Sequence, residues 1–320
     1  MNVEPVTYFG LTDNPFSQDM SLEPFYETQS AKEALKDLSF FLSIREGIAL
    51  LIGEDGIGKT TLIKRFTERL NSTYEAVIIF GKLESENEVI ETIYEKLGWE
   101  RPSLNGKSRK KLLQDLVIKL FRKKRELVVI VDDAQNLNSN LLIFLSYLSD
   151  LQFSLFRPFH VVFSGNRTFT ERLMEKGMEA LIERVSVIHV VKPLRLDEVK
   201  YYLNYRLNMV SSLFLQIKRK AIEKAFYVSE GNPSRMNEIL NKAISLAAQR
   251  GTALINERLL NGMEEDSTKK VPTDSKVSVL KVILLVMLYA LLIYTIIIGP
   301  NNFLDFWREN LFHTIKGLLP

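Results

Sequence analysis

Glycines, a lysine and a threonine in "GEDGIGKT", Gly53 to Thr60, stand at the spacing G-x-x-x-x-G-K-[ST]. That order suits a polyphosphate. Glycines let the backbone wrap closely round the anion, and a helix starting near Lys59 aims its free N–H groups at it. Lys59 adds a positive charge on the outer phosphates, and the Thr60 hydroxyl is a ligand for Mg²⁺. The candidate nucleotide-binding set is therefore Gly53, Glu54, Asp55, Gly56, Ile57, Gly58, Lys59, Thr60 and Thr61.

A second cluster stands in "ELVVIVDDAQNL". Five apolar residues, Leu127 to Val131, predict a buried parallel strand with Asp132 at its carboxyl end, where doubly wound sheets place their ligands. Asp132 is the candidate Mg²⁺ partner of Thr60, and Asp133 the residue that polarises an attacking water. As an alternative, Asp133 caps the next helix. Asn166, in "SGN" at the end of a later strand, is placed to orient that water. Arg184, in "LIERV", faces outward from the subunit.

These residues need a sheet to bring them together. Apolar runs predict strands at Ile48–Ile52, Ala76–Phe80, Leu127–Val131, His160–Phe163 and Val187–Val191, with helical patterns between them. Strands alternating with helices imply a parallel α/β sheet. After Pro193 the stretches "LDEVKYYLNYRLNMV", "KRKAIEKAFYVSEG" and "SRMNEILNKAISLAAQR" predict a small helical domain that closes over the nucleotide. The chain contains no cysteine, which excludes disulfides, zinc–cysteine sites and thiol chemistry. A formal charge of only +3 assigns no partner, so local clusters must decide. The N-terminus has no basic region followed by an apolar run, so no cleaved secretory signal is expected.

The ordered set "YFGLTDNPFS…PFYETQSAKEAL", "GEDGIGKTTL", "VVIVDDAQNL", "FSGN", "ERV" and "EGNPSRMNEIL" resembles the AAA+ ATPases of the general secretion pathway protein A type, which adjoin the phage-Mu-like transposition ATPases. The resemblance spans roughly Tyr8 to Leu260. It implies a P-loop AAA+ fold with a five-stranded parallel sheet and helical lid, ATP and Mg²⁺ as cofactors, and a homo-oligomer, ring or partial ring. It matches Arg184 to the family's arginine finger and Asn166 to its sensor-1 residue. Secretion-type members also carry a transmembrane helix just after the ATPase domain. Three departures stand out. The second motif reads Asp132-Asp133-Ala134 where the family has Asp-Glu-Ala, so a water held by the shorter Asp133 sits differently and hydrolysis is expected to be slow. The lid motif G-x-P-R reads "GNPSR", with Ser234 at the arginine position and Arg235 about 100° further round a helix. Arg235 reaches the γ-phosphate only if that helix starts late. The cell-wall-binding part that follows the span in secretion members has no counterpart in 299–320, a stretch too short to form an independent core.

Residues 277–298 supply that expected span. Val282 to Ile298 is uncharged and almost wholly apolar, and from Val277 a helix reaches ~33 Å, the thickness of a bilayer core. A buried core helix would keep a polar stripe, and none is visible. Lys269, Lys270, Lys276 and Lys281 precede the run, so the positive-inside rule puts the ATPase in the cytoplasm. The expected organisation is an N-terminal arm (1–30), a nucleotide-binding core (31–193), a lid (194–262), a polar linker (263–276), a single inner-membrane span (277–298) and an amphipathic tail (299–320). The basic stretch from Lys107 to Arg125 has three readings: a solvated helix face, an anionic-lipid contact, or a contact with DNA phosphates. The function expected from all this is a membrane-anchored ATPase acting on an envelope complex for secretion, pilus or polysaccharide export. An ATP-dependent DNA-binding regulator and a slow nucleotide-gated scaffold are the alternatives.

Overall fold

The run Leu127–Val131 is a buried inner strand, as its apolar residues predict. The computed structural model describes residues 4–17, 25–80, 82–100, 109–210 and 215–261. Its main sheet comprises β1 (Ile48–Ile52), β2 (Tyr74–Phe80), β3 (Glu126–Asp132), β4 (Phe159–Gly165) and β5 (Val185–Val190). The spatial order is β2-β3-β4-β1-β5, and every ladder is parallel. β1, β3 and β4 are buried from end to end. Helices cover both faces of these inner strands, which is why they read as unbroken apolar runs.

The helices are α1 (Pro5–Phe9), α2 (Gln29–Ile44), α3 (Lys59–Glu68), α4 (Glu86–Lys96), α5 (Arg109–Lys123) and α6 (Ser139–Leu148). They continue with α7 (Arg167–Leu173), α8 (Glu179–Ile182), α9 (Leu196–Met209), α10 (Arg219–Ser229), α11 (Pro233–Gln249) and α12 (Glu257–Leu260). On one face α2 and α3 pack against Ala49, Leu51, Val128 and Ile130. On the other, α4, α5 and α6 pack against Val77, Val129, Val131 and Phe163. Helix starts are fixed locally: Thr28, Ser85 and Asn138 each accept a backbone N–H of the first turn, as capping residues do.

A second core joins α9 to α12 with a short parallel pair, β6 (Gln216–Ile217) and β7 (Leu254–Ile255). Residues of the N-terminal arm enter this core: Phe9, Leu11 and Phe16 are buried with Val199, Leu240 and Ile244. The arm is held there by Thr12 N–H on the Val210 carbonyl (3.2 Å) and by the Asn14 amide donating to Asn241 Oδ1 (2.7 Å). Glu198, at the start of α9, accepts from the backbone N–H of Gln29 at 2.9 Å, which ties the lid to the first turn of α2.

The linker, the apolar run 277–298 and the tail lie outside the described residues, as does Lys107. Among the described residues no helix is long and apolar enough to cross a membrane.

Candidate functional site

The phosphate loop joins β1 to α3 at the carboxyl edge of the sheet. Its turn needs left-handed backbone at Gly56 (φ +77°) and Gly58 (φ +102°), conformations that glycine adopts without a steric cost. Gly53 N–H donates to the Gly165 carbonyl at 3.1 Å, pinning the loop to the end of β4. Lys59 opens α3 and is only 5% exposed. Its ammonium donates to the carbonyls of Gly53 (2.9 Å) and Glu54 (3.0 Å), with Asp55 Oδ1 at 3.8 Å. Burial pushes the Lys59 pKa down, opposed by the nearby carboxylates of Asp55, Asp133, Asp132 and Glu54.

The Thr60 hydroxyl donates to Asp132 Oδ2 at 2.6 Å, so β3 and α3 meet through one bond. Asp132 is 1% exposed. Two hard oxygen donors from different elements, beside a phosphate loop, fit Mg²⁺, which takes few protein ligands and completes its shell with phosphate and water. Asp133 sits in the left-handed region (φ +53°) at the strand end. It makes no side-chain cap to the following turn, so the capping alternative does not hold. Instead its Oδ1 accepts from Gln135 Nε2 at 3.0 Å.

Asn166 follows Gly165, where a Cβ would lie 2.4 Å from the Phe169 ring. Its amide donates to both carboxylate oxygens of Asp55 at 3.0 Å, and its own N–H donates to Gln135 Oε1 at 3.3 Å. Gln135 thus orients Asp133 and Asn166 together, a role that sequence reasoning missed. The signal was its place two residues beyond Asp133 in "DDAQ".

These groups border a cleft of about 930 Å³, lined by residues 55–61 of the loop, by Asp133 and Asn166, and by lid and arm. Gly53 and Glu54 stand behind the wall and serve through their carbonyls on Lys59. Phe25 and Tyr26 from the arm, with Tyr202 and Arg206 from α9, line the same cleft and were not expected there. Arg206 is 6% exposed. It donates to the Ser17 carbonyl at 2.9 Å and to Tyr202 Oη at 3.3 Å. Burial raises the Tyr202 pKa, against the Arg206 charge and the bonds to Asn237 and Arg206.

Of the expected residues, Arg235 stays out of the cleft. α11 starts at Pro233 with Asn232 as its cap, so Ser234 meets the loop backbone and Arg235 reaches only the exposed Glu54 side chain of the loop. Ser234 N–H donates to the Gly56 carbonyl at 3.2 Å, and Asn232 Nδ2 donates to the Asp55 carbonyl at 2.9 Å. Arg235 turns outward to Glu230 (3.4 Å) and Glu54 (3.8 Å). Arg184 lies just before β5, away from the chain's own cleft. It is held by Asp150 at 2.7 Å and lies over the Tyr147 ring at 4.3 Å.

A parallel sheet with a phosphate loop after β1 and an acidic pair at the end of β3 defines a P-loop nucleotide-binding protein. Residues 44–173 match the family model described as an AAA domain. General secretion pathway protein A of Aeromonas hydrophila is 26% identical over 246 residues, 77% of this chain and 45% of that protein. ORC1-type DNA replication protein 2 of Methanothermobacter thermautotrophicus is 30% identical over 162 residues, 48% of this chain and 41% of that protein. The chain thus spans less than half the length of these curated relatives. Cdc6p of Pyrobaculum aerophilum shares the fold, with a TM-score of 0.61 at 19% identity, covering 82% of this chain and 73% of that one.

Proposed function

We propose that this chain is a membrane-anchored AAA+ ATPase that binds and hydrolyses ATP to drive assembly or remodelling of an envelope complex in the cytoplasmic membrane. The observation that carries the nucleotide half is the 2.6 Å contact of Thr60 with buried Asp132 beside desolvated Lys59. The anchor half rests on the apolar run 277–298 and on the likeness to a secretion pathway protein.

In this reading the Lys59 ammonium leaves the Gly53 and Glu54 carbonyls for the outer phosphates, and the N–H groups opening α3 donate to the same oxygens. Thr60 and Asp132 would hold Mg²⁺, which neutralises charge on the phosphates when bound. Asp133, steadied by Gln135, accepts a proton from water as its oxygen forms a bond to the γ-phosphorus. The bond to the bridging oxygen breaks, and ADP and phosphate leave. Asn166 exchanges Asp55 for that water. Arg184, outside its own cleft, reaches the neighbouring subunit's phosphates in a homo-oligomer and stabilises the charge that develops there.

A second reading, the slow nucleotide-gated scaffold, is favoured by one observation: Arg235 is paired at the surface. The test is Lys59→Ala in cells and with purified full chain. Loss of both ATP turnover and partner-complex assembly is expected. Unchanged assembly with lost turnover leaves the scaffold, and an ATP-dependent shift of duplex DNA moves the function to the side of the replication-protein relative.

A further inference from the structure

The sheet edge opposite the cleft, where the strands begin, carries a surface that nucleotide chemistry does not use. Before β4 the chain reverses tightly: Phe153 and Phe156 exchange both backbone hydrogen bonds, at 2.9 and 3.0 Å, across Ser154 and Leu155. The Phe121 ring, near the end of α5, packs on both phenylalanines with centroids 5.0 and 5.5 Å away. Leu155 stands out from the tip, 98% exposed, and Phe121 and Phe153 are exposed beside it. A single exposed leucine is ordinary, whereas three large apolar side chains held together on a protrusion mark a contact site.

Cations surround that tip. Arg122 to Arg125 follow Phe121 directly, and Arg157 follows Phe156. Lys123 is drawn aside onto the Trp99 ring at 4.5 Å, and Lys119 onto Tyr94 at 4.8 Å. Arg122 and Lys124 remain exposed. Arg125 and Arg157 make only loose surface ion pairs, at 3.8 Å (Glu75) and 3.5 Å (Glu46), of the kind that contributes little and exchanges readily. An apolar tip ringed by basic side chains complements the boundary between acyl chains and anionic headgroups.

We propose that this edge docks on the surface of an anionic bilayer, with Leu155 and Phe153 entering the headgroup boundary and Arg122, Lys124, Arg125 and Arg157 meeting lipid phosphates. Residues 263–276 reach at most ~50 Å when fully extended, which bounds how far the domain can lie from a bilayer spanned by 277–298. The docking chemistry stands apart from the anchor and extends the reading above. Docked this way, the nucleotide cleft faces away from the membrane.

Because the chain lacks cysteine, Ser154→Cys gives a single site for an environment-sensitive dye and leaves Leu155 in place. Tyr227→Cys, on α10 and 68% exposed, is the control. Full-length protein is mixed with vesicles of phosphatidylcholine alone or of equal parts phosphatidylcholine and phosphatidylglycerol. With anionic vesicles the dye at 154 is expected to shift to the blue and be quenched by a spin-labelled lipid, while the dye at 227 does neither. Arg122→Glu with Lys124→Glu is expected to lower the docked fraction about tenfold, as is ~1 M salt. A dye at 154 that stays in water on anionic vesicles overturns the proposal. So does a shift that is equal on neutral vesicles, one that follows protein concentration (a second copy), or one produced by duplex DNA and not by lipid. Flotation of the unlabelled chain with neutral vesicles in high salt reads the anchor separately, so either idea can fail alone.

Discussion

The two walls of the nucleotide cleft are built in opposite ways. On the sheet wall, Lys59 and Asp132 are buried and bonded to loop carbonyls and to Thr60. On the lid wall, the contact with the loop backbone is made by the Ser234 backbone and the Asn232 amide, while Arg235 is turned to the exposed carboxylates of Glu54, in the loop, and Glu230. Arg206 lines that wall, but its guanidinium holds the arm. Charge for the phosphates is therefore stored on the sheet side, in a desolvated ammonium hydrogen-bonded to the Gly53 and Glu54 carbonyls with the Asp55 carboxylate 3.8 Å away. The lid follows the loop through backbone contacts, so it reports loop position without supplying charge from Arg235.

The largest expected effect lies on the sheet wall. Asp133→Asn should lower turnover by about 100-fold or more, the scale of a lost general base, with ATP affinity within about twofold in the same titration. Unchanged turnover would mean that the sheet wall binds without activating water.

Gly56→Ala probes the contact between the walls. It forces a side chain into φ +77° and sets a Cβ 2.5 Å from the Ser234 Cβ. A loss of about 1–3 kcal/mol in unfolding free energy is expected, with faster proteolysis of the lid. A stable variant with a protected lid would show that the walls are not in contact.

The gentlest probe is pH. Burial lowers the Lys59 pKa from 10.5, and only the ammonium attracts phosphate. ATP affinity should therefore fall as pH rises through that lowered value, before ordinary lysines titrate. The nucleotide-free fold behaves in reverse. Between the lowered pKa and 10.5 the unfolded chain binds the proton that folded Lys59 has lost, so this group adds stability as pH rises. Lys59→Arg should remove the fall in affinity, measured by calorimetry across the alkaline range.

Much of this was legible in sequence because the inner strands are apolar on both faces and the loop follows a strand directly. β2 begins earlier than "AVIIF", and its start was not legible because Tyr74 and Glu75 are only half buried and do not extend the apolar run. α1 was missed for a different reason. It has five residues, too few to show a period, and Phe9 and Phe16 find their partners in the lid helices far along the chain. Arg206 looks like a solvated lid residue until the arm's carbonyls meet it. Its only sequence signal is its place one turn after Tyr202 on the apolar face of α9. Arg235 illustrates the limit most clearly, since Pro233 and the Asn232 cap fix where α11 starts and so turn the arginine outward.

The most direct test of the two-wall account is ATP·Mg²⁺ titrated side by side into full-length Lys59→Ala and Arg235→Ala. The account predicts a loss of about 10- to 100-fold for Lys59→Ala, the scale of a charge-assisted hydrogen bond, and less than about twofold for Arg235→Ala. An equal loss in both variants would place charge on the lid wall and contradict it.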